Sequence, residues 1–213
     1  MISSAAAALA LSACGGGGGS DAPRTYAVYG GSWTWGTVPE GRLAVPPAVR
    51  LSQLLGAPVA DYSAGAATLR QAFGTPVLFW PDGRVLTADM LPHSPFPSHL
   101  LAHPADVVVF QYGGSEPLLG TPREVFYDLY RQAIEASKAG GCVPAIVGLY
   151  DHPLHPEFAE YDAIARRVAR DTQCLYTPRE ADWPAGFVDD LHAGQELSDR
   201  WQGVIAEALK ETA

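Results

Sequence analysis

Short apolar runs and longer amphipathic stretches take turns along most of this chain. Tyr26–Tyr29 reads as a buried strand that breaks at Gly30-Gly31 and leaves Ser32 at the strand end. Pro47–Leu55 has proline in its first turn and Gly56 just beyond its last residue, which predicts a helix. Val59–Tyr62 reads as a second strand, closed by Ser63-Ala64-Gly65. Val77–Trp80 and Arg84–Thr87, joined by Pro81-Asp82-Gly83, predict a hairpin. The Pro- and His-rich stretch Pro92–His103 reads as loop.

Val107–Phe110 is a continuous apolar run, the pattern of a central strand covered on both faces. Thr121 as cap, Pro122 in the first position and Glu124 predict a helix start. Val125, Phe126, Leu129, Tyr130, Ala133 and Ile134 form its stripe, and Gly140 ends it. Val143–Leu149 is a fourth strand, Pro156–Asp171 a helix, and Leu175-Tyr176 the start of a short fifth strand. The last helix, Gln195–Lys210, is predicted to bury Leu197, Trp201, Val204, Ile205 and Leu209. Strands spaced by helices make a parallel sheet with helices on both faces. The expectation is a three-layer α/β/α fold whose five-stranded parallel sheet has the flavodoxin-like order 2-1-3-4-5.

Length and charge narrow this further. At 213 residues with 47% hydrophobic positions, the chain suits one domain with a real core. Lys+Arg of 14 against Asp+Glu of 23 leaves a net charge of −9. That balance, with no basic run, argues against nucleic acid and disfavours anionic substrates.

The first residues follow another pattern. Ile2–Ala13 is apolar and too short to span a bilayer, and it ends in Leu11-Ser12-Ala13-Cys14. This resembles the lipobox of bacterial lipoproteins, although residues 1–13 hold no Lys or Arg. The resemblance implies a signal peptide over 1–13, lipidation of Cys14, a Gly/Ser-rich tether over 14–23 and a place in the bacterial cell envelope. A disordered tail is the other reading. Cys142 and Cys174 precede two strands expected to be neighbours, so a disulfide worth about 3–4 kcal/mol is one expectation and two buried thiols the other.

In an open parallel sheet, ligands bind beyond the carboxyl ends of the strands. Ser32, then Gly65 and Ala66, then Gly113-Gly114-Ser115-Glu116, then Asp151 and His152, then Asp189 to His192 follow the five strands in turn. A serine hydroxyl becomes a nucleophile when a base takes its proton and a third group orients that base. His192, with Asp189 three residues earlier, can serve Ser32 in that way. Oxyanion donors are available at the N–H groups of Ser32 and of Gly65 or Ala66, with Ser115 or the N–H of Gly114 as a third. Asp151, His152 and His155, or His93, His99 and His103, match no zinc signature, and no cofactor is expected.

These pieces resemble, in order, the blocks of the SGNH hydrolase superfamily, the GDSL-type lipases and esterases. The opening Gly-Asp-Ser-x-Thr-x-Gly block is similar to Gly30-Gly31-Ser32-Trp33-Thr34-Trp35-Gly36, and the Asp-x-x-His block is met by Asp189 and His192. The second block resembles Asp61 to Thr68, and Gly-x-Asn-Asp aligns with Gly113-Gly114-Ser115-Glu116. The resemblance spans residues 25–210 of a hydrolase domain over 24–213. It implies Ser32 as nucleophile, His192 as base and Asp189 as its orienting acid. Three departures stand out: Gly31 replaces Asp, Ser115 replaces Asn, and the second-block glycine falls at Gly65 or at Ala66 according to the counting. The implied activity is hydrolysis of a neutral small-molecule or glycan ester through an acyl-serine, with Trp33, Trp35, Phe79, Trp80 and His152 as candidate pocket residues. Alternatives are a lipid-anchored binding protein without turnover and an O-acyltransferase.

Overall fold

The computed structural model describes residues 24–75, 77–80, 82–181 and 184–211. Residues 1–23, with Cys14 and the expected anchor, lie outside them. In chain order the elements are β1 (Tyr26–Gly30), α1 (Ser32–Trp35), β2 (Thr37–Val38), β3 (Gly41–Arg42), α2 (Pro47–Leu55), β4 (Val59–Asp61), α3 (Leu69–Ala72), β5 (Val77–Phe79) and β6 (Val85–Thr87). They continue with α4 (Ser98–Ala102), β7 (Val107–Gln111), α5 (Arg123–Ala139), β8 (Val143–Val147), α6 (Glu157–Thr172), β9 (Leu175–Thr177) and α7 (Gln195–Lys210).

The central sheet has the order β4-β1-β7-β8-β9, every pair parallel, which is the expected 2-1-3-4-5. Period-two alternation splits its side chains between two cores. Ala27, Tyr29, Val108, Phe110 and Ile146 face α5 and α6, whereas Val28, Val107, Val109, Ala145 and Val147 face α2 and α7. The hairpin forms with Val77 opposite Thr87.

Several expectations are corrected. Pro92–His103 is not all loop: α4 lies within it, buried through His99 and Leu100. Five helical residues leave too short a pattern for any period to show. Pro122, not Thr121, is the cap residue of α5, and the Thr121 hydroxyl is buried without a partner. Val204 is 50% exposed because it lines an open cavity beside α7 instead of the core.

Cys142 and Cys174 are free thiols, not a disulfide. β8 and β9 are neighbours, but Ala145 stands opposite Leu175, so Cys174 falls level with Pro144, two residues beyond Cys142. That stagger sets their Cα atoms about 8 Å apart, from a rise of about 3.3 Å per residue and a strand spacing of about 4.8 Å. A disulfide needs less than about 7 Å.

The expected histidine group is a ring cluster on the β1 side of the core. His93, Phe96, His99 and Tyr62 surround the Tyr29 ring at centroid distances of 5.3, 5.2, 5.9 and 5.0 Å. Burial pushes His99 down to about 4, with His93 and His103 adding to the effect, and burial lowers His93 as well. A histidine whose folded pKa is depressed binds fewer protons folded than unfolded, so stability is lost as pH falls from about 6.5 toward 4. His99 should therefore make the parent's melting temperature fall more, or rise less, on acidification through that window than that of His99→Phe. Equal slopes would show that His99 does not carry the effect.

Candidate active site

β1 ends at Gly30, where an added Cβ would lie 2.2 Å from Thr34 Oγ1 and 2.7 Å from the Gln111 carbonyl. Glycine is therefore required for the chain to turn straight into α1. Ser32 is the first residue of that helix, and its carbonyl accepts from Gly36 N, which closes the turn in the left-handed region. At Gly31, a Cβ would sit 3.0 Å from the Ala67 carbonyl and 3.7 Å from Ser115 Oγ. The absent aspartate thus corresponds to a place where Ala67 and Ser115 crowd against the turn that carries Ser32.

Ser32 shares a cleft of about 10 Å3 with Gly31, Trp33, Ala67, Gln111, Tyr112, Gly113, Gly114 and Ser115. That volume is about one water molecule, or one oxygen of a substrate. Ser115 is 5% exposed. In the second block the residue lining this cleft is Ala67, which the sequence reading missed. Ala66 holds the left-handed conformation at φ 61, whereas Gly65 packs toward Thr37 and Trp35. Trp35 is half-buried beneath Arg42, whose guanidinium stacks 3.6 Å from the ring centre and pairs with Asp61 at 2.6 Å.

Glu116 ties two blocks together. Its fully buried carboxylate accepts from Gly113 N at 2.8 Å and from Leu69 N, at the start of α3, at 2.9 Å. Burial raises its pKa to about 7 against the opposing pull of backbone N–H groups, those of Leu69 first. A carboxyl with a raised folded pKa loses stability as pH rises through that value, opposite in sign to His99.

The segment after β9 carries the other candidate residues. Asp189 Oδ1 accepts from the backbone N–H of Leu191 at 2.7 Å and of His192 at 2.5 Å, and Oδ2 accepts from His192 Nδ1 at 2.8 Å. Burial raises the Asp189 carboxyl, but these hydrogen bonds outweigh it and hold the group below its ordinary value. Because a carboxylate only accepts, the bonded Nδ1 of His192 carries a proton, so Nε2 is the nitrogen that accepts in the neutral ring.

This segment is fastened beside Ser32 by three hydrogen bonds. Trp33 Nε1 and Tyr150 OH both donate to the Leu191 carbonyl at 3.0 Å, and His152 Nε2 donates to the Asp190 carbonyl at 2.8 Å. His152 Nδ1 in turn accepts from Leu154 N at 3.0 Å, which fixes its tautomer. Trp33 and His152 are 7% and 1% exposed, so the expected pocket residue His152 braces the loop from within, and Trp33 does so while lining the Ser32 cleft. Ser32 Oγ itself makes no hydrogen bond among the described residues. Phe79, also expected at the pocket, is 71% exposed on the β5–β6 hairpin. Asp151 is exposed at the end of β8.

The parallel sheet in the order β4-β1-β7-β8-β9 with helices on both faces is the fold of the SGNH hydrolases. The match to solved structures is a match of fold. An aryl esterase from M. smegmatis superposes with TM-score 0.65 at 18% identity, over 89% of this chain and 100% of the other. A protein assigned to the G-D-S-L lipolytic family from Desulfitobacterium hafniense reaches 0.69 at 13% identity, over 87% and 99%. An acetylxylan esterase from Geobacillus stearothermophilus reaches 0.63 at 14% identity, over 88% and 93%. No protein-family model and no curated protein matches the chain.

Proposed function

We propose that this protein is a serine ester hydrolase acting through an acyl-serine intermediate, with Ser32, His192 and Asp189 as its triad. The observation that carries the reading is the Asp189–His192 pair, which leaves Nε2 as the accepting nitrogen in a loop fastened to the residue after Ser32. In the first half-reaction, Nε2 takes the Ser32 proton as Oγ attacks the ester carbonyl. The imidazolium, stabilised by Asp189, then protonates the departing alcohol. In the second half, water attacks the acyl-serine with the same histidine as base.

The negative oxygen of each tetrahedral intermediate needs donors already in place. The backbone N–H groups of Ser32 and Gly114, with the Ser115 hydroxyl, are the donors we assign, all three residues lining the Ser32 cleft. The small cleft favours an acetyl or other short acyl group, on a small alcohol or a glycan. Purified protein should release p-nitrophenol from the acetate ester faster than from the octanoate. No release from either would end this reading. Ser115→Ala should slow acetate turnover by about 10²-fold, the typical effect of one lost oxyanion donor. An unchanged rate would remove Ser115 from the role.

A second reading, a binding protein that has lost turnover, draws on the unbonded Ser32 hydroxyl and on Gly31 and Ser115. A fluorophosphonate separates the two, since only an activated serine reacts with it. Transfer to an added alcohol in place of water would mark an O-acyltransferase. We also propose the Cys14 anchor, which a diacylglyceryl mass on the mature N-terminus of membrane-fraction protein would establish.

A further inference from the structure

Two cavities among the described residues are lined by neither Ser32, Asp189 nor His192. One of about 380 Å3 opens between α7 and the segment that follows β9, a size that suits a small organic ligand. Arg179, Glu180, Arg200, Trp201, Val204 and Ile205 line it, with Val147.

Arg179 is the anomaly there. It is 5% exposed, yet it has no carboxylate partner among the described residues. Its Nη2 donates to Gln111 Oε1 at 2.5 Å, while its Nε is buried with no acceptor. The guanidinium is flanked by Trp201 at 4.6 Å and Trp33 at 5.3 Å. Burial lowers this cation to about 10, with the neighbouring tyrosines and the Asp162 carboxylate acting in the opposite direction at longer range. At the mouth, Arg200 is exposed and forms no ion pair among the described residues. Glu180 also lines the cavity, and its side chain is exposed while its carbonyl accepts from Trp201 Nε1. Two arginines with no ion pair among the described residues thus line one cavity in a chain whose net charge is −9.

We propose that this cavity is a second ligand site, for a small carboxylate with an apolar body. The planar guanidinium of Arg179 suits a carboxylate bidentately, and Arg200 closes over it. Trp201, Val147, Val204 and Ile205 offer an apolar wall that an aryl or alkyl group covers and inorganic phosphate does not. The cavity is separate from the Ser32 cleft, although Arg179 touches Gln111 and Trp33, which line that cleft from the other side.

The test is titration of the full chain with sodium benzoate, followed by calorimetry and by tryptophan fluorescence. Saturable binding is expected, weakened about tenfold by Arg200→Gln, the equivalent of one charge-assisted contact. Val204→Trp, which fills the mouth from a half-exposed position, should abolish it, and both variants should keep the parent melting temperature. Ser32→Ala should bind benzoate as the parent does. The proposal is overturned by the absence of saturable binding, by undiminished affinity in both variants, or by inorganic phosphate binding more tightly than benzoate. Loss of benzoate binding on phosphonylation of Ser32 would place the ligand at the triad and overturn it equally.

Discussion

Ser32→Ala should lower kcat/KM for p-nitrophenyl acetate by roughly 10⁴–10⁶-fold, the range for removing a nucleophile from a working triad. The fold should survive. Ser32 Oγ makes no hydrogen bond among the described residues, and the turn around it is set by the Gly36 N–H to Ser32 carbonyl bond, which alanine keeps. Melting temperature should therefore stay close to that of the parent while fluorophosphonate labelling disappears. Activity within tenfold of the parent would mean that another group attacks the ester, and the triad assignment would go.

Asp189→Asn should cost about 10³–10⁴-fold in kcat with a smaller change in KM, through the tautomer of a neighbouring ring. Asp189 accepts on both oxygens: two backbone N–H groups on Oδ1 and the imidazole on Oδ2. Asparagine has one acceptor oxygen and one NH2 donor. If its oxygen keeps the two backbone bonds, the NH2 faces Nδ1 and drives the ring proton to Nε2, where the base has to be empty. If the amide turns over, the loop loses two hydrogen bonds and His192 loses its mooring. Either way the base is disabled while Ser32 is untouched, so slow covalent labelling should outlast turnover. Full turnover in Asp189→Asn would show that His192 is oriented by something else.

Much of the architecture is legible in the residues. Continuous apolar runs such as Val107–Phe110 mark strands covered on both faces, and the 3.6-residue stripe of Gln195–Lys210 marks a helix whose observed bounds are the expected ones. Pro47 and Gly56 bracket α2 in the same manner. The placement of Ser32 after the first strand and of Asp189 and His192 after the last is also visible, because it follows from the order of strands along the chain. The short elements were not legible. α1, α3 and α4 have four or five residues each, and neighbours hold them: α3 by a capping box from Thr68 and by the Glu116 carboxylate, α4 by burial of His99 and Leu100.

Local periodicity and turn chemistry thus determined the order of strands and helices, the parallel sheet and the five sets of rim residues, since each depends on residues only a few positions apart. Tertiary structure alone decided the rest. The Trp33–Leu191 bond joins residues 158 positions apart, and nothing near either one announces it. The strand stagger that keeps Cys142 from Cys174, the Glu116 tie to α3 and the burial of Arg179 against Gln111 are likewise products of packing. Such contacts form only after the sheet has brought its edges together, and a buried arginine looks the same in sequence as an exposed one.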